Sequence, residues 1–526
     1  MKGTRDRVFY FMIAGFLILQ MAFCAYWGVR KCNFHVDEYF TYGLANNRGA
    51  IHPVLEDGTV YSGDDIFLEY LAPDDSECFD YSIIRENISQ DAHPPLYYTL
   101  IHTICSFFPD SYSKWEGLIL NFLLLLLIDG LVYFLANCLL HNRKMALVLT
   151  AAYGFCALCV SMVLFIRMYT LMTVFTLAVT LLFTFYYKKK KDIRFWAGLF
   201  FLAVGGTMTQ YYFLIYLFFL CLVYGILMLM EKNWKDVAAY IGTLALAGIA
   251  CVLIWPAMLT HILGDASSER GAQAFENAKN LPDLWPHIKS YFNIINGELF
   301  GGCLPVLLVL LVIAVIAARR MKRGRRKDFR AVTLLCLPGA CYCLVIAAIA
   351  PYQYDRYIMA VGPILFLGVL CMLFQAARQA VRDPFIKSAA AYVILAAVVI
   401  LSWRSVGWKP EYIMENTKDR LEIAEEYAEE SVIFVYGYSW TVLENIRELQ
   451  QYQDFTFVKP QDLAALLEER QEDSYVLYCI SGLDFNEVSS AIMARDSGTE
   501  IEKLYTRNHQ AYADIYYVSR QAVSSE

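Results

Sequence analysis

Long apolar runs separated by short charged connectors fill the chain as far as Trp403, after which the pattern shortens and begins to alternate. The runs lie near residues 8–28, 116–138, 145–164, 168–187, 195–210, 211–230, 236–256, 304–318, 331–350, 357–376 and 386–403. Several hold about 18 or more residues with almost no charge, enough to cross a hydrocarbon core of about 30 Å. The pattern predicts a polytopic α-helical membrane protein with about 11 transmembrane helices. A further apolar segment, 93–109, is short and interrupted by Pro94, Pro95 and Pro109. It reads as an amphipathic helix lying at the interface rather than a span.

The connectors orient the spans. One set carries Lys2, Arg5 and Arg7; Arg143 and Lys144; Lys188 to Lys191 with Arg194; Lys232 and Lys235; Arg319 through Arg330; and Arg378, Arg382 and Lys387. The opposite set is poor in cations and contains an acidic first loop, 257–303 and 351–356. Because positive connectors stay inside, the N-terminus is cytoplasmic and the acidic loop and C-terminal tail face outward. The N-terminal run lacks a small-residue cleavage site, so it reads as a retained span. The basic runs Lys188–Lys191 and Arg319–Lys327 are explained as topology signals, without a nucleic-acid partner.

Beyond Trp403 the tail predicts helices at Thr417–Glu429, Thr441–Gln450, Gln461–Glu469 and Asn486–Ala494. Strands are predicted at Ser431–Tyr436, Phe455–Val458, Ser474–Ile480, Ile501–Tyr505 and Ala513–Val518. Such alternation points to a small three-layer α/β domain. The organisation is therefore a transmembrane domain, 1–403, with a first outer loop 29–115 carrying interfacial helices, and a soluble extracytoplasmic domain, 404–526.

Composition agrees. Of 526 residues, 58% are hydrophobic and 18% charged, with a mean hydropathy of +0.41, well outside the range of soluble proteins. The net charge of −7 conceals the asymmetry across the membrane and is no partner signal. The 15 cysteines are scattered, mostly within apolar runs, and no C-x-x-C pair repeats, which argues against a metal cluster. Cys32 and Cys78 share the acidic loop, and both a disulfide and two free thiols fit the sequence. No internal repeat and no nucleotide-binding glycine motif is visible.

Candidate chemistry gathers at the outer ends of the spans. The acidic loop opens with Asn33-Phe34-His35-Val36-Asp37-Glu38-Tyr39 and closes with Asp91-Ala92-His93-Pro94-Pro95-Leu96. A carboxylate beside a span, Asp37 or Glu38, can act as a general base or hold a cation against a phosphate; a solvated loop charge is the plainer reading. The paired prolines force an extended approach to the next helix and can hold Asp91 or His93 in one place, though they also serve simply as a helix start. Arg167, in Ile166-Arg167-Met168-Tyr169, and Arg356, in Asp355-Arg356-Tyr357, stand in outer junctions otherwise poor in cations. Guanidinium suits bidentate phosphate binding in a dry site, against snorkelling to headgroups or a local pair with Asp355. Gln210 and Tyr211 can hydrogen-bond a sugar or form part of an aromatic belt. Asp129 suits a hydrogen bond inside the bundle, Glu298 and His287 are candidate pocket walls, and Asn87-Ile88-Ser89 fits the N-glycosylation pattern.

Taken together these residues resemble the membrane-embedded C-type (GT-C) glycosyltransferases, in particular the protein O-mannosyltransferase and aminoarabinose-transferase branch. Asp37-Glu38 matches the acidic motif that opens the family's first outer loop, and His93-Pro94-Pro95-Leu96 matches the basic residue and Pro-Pro-Leu that close it. Arg167-Met168-Tyr169 and Arg356-Tyr357 look like its two later arginine motifs, so the likeness covers roughly residues 1–380. The resemblance implies a GT-C-like fold and an inverting glycosyltransferase that moves a hexosyl or pentosyl group from a polyprenyl-phosphate donor on the outer face. Asp37 would be the base, with Glu38 supporting it or binding acceptor. Asp91, His93, Arg167, Tyr169, Gln210, Tyr211, Arg356 and Tyr357 would hold the donor phosphate and the substrates. The acceptor is a glycan, lipid or protein, membrane lipids surround the chain, and a divalent cation is the sole cofactor left open. A bacterial inner membrane suits such a chain. The alternative, a transporter or flippase of a lipid-linked glycan, would show more polar residues at the midplane than this chain does.

Overall fold

A computed structural model describes residues 2–49, 51–63, 65–263, 273, 276–279, 281–320, 330–381, 383–470, 472–496, 498–507 and 513–520. The basic run beyond Arg320 and Asp64 of the acidic loop lie outside these residues. The chain divides into two compact units, 1–28 with 91–97 and 117–411, and 29–90 with 98–116 and 412–526.

The first unit is helical. Among the described residues seven helices are long and apolar enough to cross a membrane: Asp6–Arg30, Lys114–Leu140, Tyr212–Met230, Trp234–Ile254, Val332–Ile349, Met359–Ala380 and Phe385–Ser405. The expected span 145–164 is instead a bent pair, Arg143–Gly154 with Ala157–Leu164 at 59°, and the expected span 304–318 is one arm of a second pair, bent by 83°, whose other arm, Pro282–Leu299, lies in the segment read as an outer connector. The remaining two, Tyr169–Phe185 and Ile193–Thr209, have 17 residues each, about 26 Å at 1.5 Å per residue. Every apolar run read from the sequence is thus helical. The Met359–Ala380 helix lies deepest, whereas Asp6–Arg30 and Trp234–Ile254 turn most of their length outward. Beside the first bend, Gly154 lies close to the first helix: a Cβ there would lie 2.1 Å from Gln20 Nε2. Gln20 there donates to Asp129 at 3.3 Å, the internal hydrogen bond expected of that carboxylate.

The second unit joins the acidic loop to the tail. The unit boundary falls after Glu411, and the loop contributes a strand to the tail's sheet. Six strands, β1 (Val60–Tyr61), β2 (Ser431–Val435), β3 (Asp454–Val458), β4 (Ser474–Ile480), β5 (Thr499–Tyr505) and β6 (Ala513–Arg520), lie in the order β1-β3-β2-β4-β6-β5. The centre, β3-β2-β4, is parallel and its strands read as near-continuous apolar runs, as burial on both faces requires. The outer pairs are antiparallel, with Val60 opposite Thr456 and Tyr61 opposite Phe455. On one face Ile433, Val435, Leu477 and Val518 pack with Leu463, Leu467, Val488 and Ile492 from two helices, Leu463–Glu469 and Phe485–Arg495. On the other, Phe434 stacks on Tyr478, whose hydroxyl meets that of Tyr452 at 3.1 Å. Over that face a fully buried ion pair joins Arg420 to Glu448 at 2.6 Å.

The expected tail elements are present, with one change of type. Thr441–Gln450 is a 3-10 segment, Ser439–Asn445, followed by a single helical turn, Ile446–Leu449. In the loop, the segment 93–109 contains one helix, Leu96–Cys105, about 15 Å long and too short to span. Cys32 and Cys78 are both free thiols, donating to the carbonyls of Arg30 and Asp74. Asn87 is buried, its amide donating to Leu44 O at 3.2 Å and Asn47 O at 2.5 Å, so the glycosylation pattern there is not available to modification.

Candidate active site

In the membrane unit the Pro-Pro turn and the first arginine motif come together. The prolines bar a helical conformation before Leu96, and Asp91 to His93 form a bend ahead of the Leu96–Cys105 helix. His93 Nδ1 lies 2.5 Å from Asp91 Oδ2, and His93 Nε2 lies 3.3 Å from Arg167 Nη2. Guanidinium has only donors, so Nε2 accepts, which leaves the proton on Nδ1 to be donated to Asp91. The result is an Asp91–His93–Arg167 line with one defined tautomer. All three side chains are largely buried, Arg167 to 5% exposure.

Arg167 sits in the break between helices Ala157–Leu164 and Tyr169–Phe185. The break is held from an adjacent span by Asn121, fully buried, whose Nδ2 donates to Val163 O at 3.0 Å and Phe165 O at 2.9 Å. Asn121 Oδ1 in turn accepts from Tyr97 Oη at 3.1 Å. Sequence reading missed Asn121, although an amide in a leucine-rich span is a signal in its own right. Tyr169 is buried and stacks on Phe165 with ring centres 5.9 Å apart.

Arg356 occupies a 3-10 turn, Asp355–Tyr357, with its guanidinium 4.8 Å from the Tyr354 ring centre and 5.3 Å from that of Tyr357. Asp355 Oδ1 accepts from the Arg356 backbone N–H at 2.7 Å. Tyr342 Oη donates to Tyr357 O at 2.7 Å, and Tyr212 meets the Tyr357 ring edge-on at 5.6 Å. Tyr291 lies within electrostatic range of Tyr357, Tyr212 and Tyr169, so the two arginine turns border one group of tyrosines. Aromatic faces with hydroxyls at their edges suit the apolar faces and hydroxyls of a sugar.

Gln210 is buried at the end of the Ile193–Thr209 helix. Tyr211 Oη is 3.0 Å from His261 Nδ1, and Tyr211 lies within electrostatic range of Asp91, which places it toward the same corner. His261 was not anticipated. His287 Nδ1 contacts Ala347 O at 3.0 Å, a helix contact rather than a pocket wall. Glu298 faces Asp355 and Glu411; burial, with Asp355 nearby, raises the Glu411 carboxyl above its usual range. Among the described residues, no three of His, Cys, Asp and Glu are grouped to hold a metal ion.

Asp37 and Glu38 belong to the other unit and part company there. They occupy the second and third positions of α2 (Val36–Asn46), which follows α1 (Lys2–Arg30). Asp37 is 24% exposed, with Oδ2 3.8 Å from His35 Nδ1. Glu38 is fully buried: its Oε2 accepts from Lys31 Nζ at 2.8 Å and from His35 N–H at 2.6 Å. A carboxylate so enclosed offers no surface to an acceptor.

Residues 92–255 match the family model described as dolichyl-phosphate-mannose-protein mannosyltransferase. Among solved structures the chain is similar to ArnT from Cupriavidus metallidurans in the apo state, with a TM-score of 0.52 at 10% identity over 96% of this chain and 98% of that one. The same protein bound to undecaprenyl phosphate matches with a TM-score of 0.51, at the same identity and coverage. No curated protein sequence matches the chain. The chain is a multi-span membrane protein that shares the fold of ArnT along nearly its whole length and matches a glycosyltransferase family over residues 92–255.

Proposed function

We propose that the chain transfers a sugar from a polyprenyl-phosphate donor to an acceptor at the outer face of a bacterial inner membrane, with inversion at the anomeric carbon. The observation that carries this reading is the Asp91–His93–Arg167 line, which holds a buried guanidinium in a fixed orientation at a span junction. A guanidinium fixed in a dry setting binds phosphate in preference to a mobile cation. Arg356, stacked on tyrosines, supplies a second such group. The ArnT structure bound to undecaprenyl phosphate supports a lipid phosphate as the ligand class.

In this reaction the acceptor hydroxyl oxygen attacks the anomeric carbon opposite the phosphate. The new C–O bond forms as the bond from carbon to the phosphate oxygen breaks, and that electron pair leaves with polyprenyl phosphate. Asp37 takes the acceptor proton, and the arginines stabilise the negative charge developing on the departing phosphate. A single displacement inverts the centre.

The test uses the purified protein in nanodiscs with a panel of polyprenyl-phosphate sugars and follows release of polyprenyl phosphate. Wild type is expected to release it with at least one donor, and Asp37→Asn to lose that release while still binding donor. Equal turnover by both proteins removes Asp37 as the base. Absence of donor-dependent thermal stabilisation with every donor overturns the lipid-phosphate reading.

A further inference from the structure

Asp37 is positioned by the turn that precedes it. His35 is the N-cap of α2: its Nδ1 accepts from the Asp37 backbone N–H at 3.1 Å, while Glu38 reaches back to accept from the His35 N–H. This is a capping box with histidine in the place usually taken by serine or threonine. Capping boxes ordinarily lie at the surface. Here the same glutamate oxygen also accepts from Lys31, whose ammonium donates in addition to the Tyr412 carbonyl. The Lys31 and Glu38 side chains are both fully buried.

A second strap runs beside the first, from Cys32 N–H to Ile413 O at 2.8 Å, while Lys114 Nζ donates to Lys31 O at 2.7 Å. The chain at Tyr412 and Met414 takes left-handed φ values of 64° and 56° with no glycine, a conformation that L side chains rarely adopt. Burial also pushes the Lys31 ammonium below its ordinary range, with Glu38 only partly restoring it. Buried ion pairs of this kind contribute little net stability, and an apolar pair of similar volume does as well. Strain and desolvation at one junction are better explained by the geometry it imposes.

We propose that Lys31 is a positioning residue for the transfer: through Glu38 and the His35 cap it locks the α2 N-terminus, and with it Asp37, to the start of the C-terminal segment. The proposal rests on the reading of Asp37 as the base. It also gives the C-terminal α/β domain a task, because the segment that anchors Lys31 leads directly into that domain, and β1 of the acidic loop pairs with its β3. The domain is then a structural part of the catalytic unit rather than an appended module.

The test measures kcat and KM for polyprenyl phosphate release in nanodiscs, per folded molecule, for wild type, Asp37→Asn, Glu38→Gln and the double variant Lys31→Met/Glu38→Leu. The double variant removes both charges, so no uncompensated ion remains buried. It is expected to keep the donor KM and to lose about ten- to a hundredfold in kcat, the scale of a misplacement near 1 Å. Glu38→Gln, which keeps the cap acceptor and weakens the ammonium contact, is expected to fall in the same direction by less, and decides the matter if the double variant does not fold. Wild-type kcat in whichever of the two is folded overturns the lock. A fully active Asp37→Asn removes the base reading and the lock together, whereas an inactive Asp37→Asn beside an active double variant removes the lock alone.

Discussion

Replacing Arg167 tests the proposed donor-phosphate site. Its side chain is 5% exposed and donates to His93 Nε2, while the Asp91–His93 contact is made through the other ring nitrogen. A hydrogen bond to a charged group contributes about 1.5–3 kcal/mol. A bidentate guanidinium makes two such bonds to phosphate, so Arg167→Ala forfeits about 3–6 kcal/mol of binding to the phosphate and its transition state. At 1.4 kcal/mol per decade, that is a fall of about two to four decades in kcat/KM. Arg167→Lys keeps the charge but presents a point donor that cannot serve both His93 and the phosphate, and is expected to lose roughly one bond, about ten- to a hundredfold. The assay is release of polyprenyl phosphate in nanodiscs, paired with the donor-induced shift in melting temperature. Arg167→Ala within about threefold of wild-type kcat/KM, at an unchanged melting temperature, would refute the reasoning.

Two further outcomes concern stability. Arg420 and Glu448 are fully buried, 2.6 Å apart, so Arg420→Met alone is expected to destabilise by about 3–5 kcal/mol, and the Arg420→Met/Glu448→Leu pair to be neutral or stabilising. Denaturant unfolding of the full chain distinguishes the two, and equal losses in both variants count against a desolvated pair. His102 is buried beside Asn46, 3.1 Å away, and burial lowers its imidazole below the ordinary value of 6.5. The sign follows from the depressed value in the folded state: the contribution is fully present above pH 6.5 and is lost as pH falls through the folded value, because the unfolded chain takes up the proton first. The melting temperature should therefore drop on acidification, and His102→Gln should flatten that slope; an unchanged slope assigns it to other groups.

The spans were legible because a hydrocarbon core imposes one requirement, length of apolar chain, that any sequence either meets or does not. The bends were not. The run 145–164 reads as one continuous apolar segment, and its 59° bend between Gly154 and Ala157 shows only in the structure. The tail was legible for a different reason. Strands buried on both faces read as apolar runs between amphipathic helices, and Ser474–Ile480 was found to the residue. Strand β1 was out of reach: Val60–Tyr61 has two residues, and its pairing with Thr456 and Phe455 joins positions nearly 400 residues apart. That pairing moves the acidic loop from the transmembrane domain expected for it into one compact unit with the tail.

The candidate site divides along the same line. Arg167, Arg356 and His93 stand out because charge and imidazole are rare at the outer ends of apolar runs, where their desolvation needs a reason. Asn121, His261 and the tyrosines around Tyr291 escape notice because neutral polar and aromatic residues occur throughout such a chain; only their convergence sets them apart. Asp37 and Glu38 pose the sharper case, being adjacent and chemically alike. What separates them is helix geometry. The third residue of a helix reaches back over the cap, so Glu38 is drawn into bonds with the His35 N–H and Lys31, while Asp37, one residue earlier, keeps a partly exposed carboxylate. His35-x-x-Glu38 is a capping box in all but the identity of its first residue, and imidazole Nδ1 can accept from the backbone as a hydroxyl does. Once the cap is recognised, the difference follows from the numbering: the residue three after the cap builds the turn, and the residue two after it keeps a partly exposed side chain.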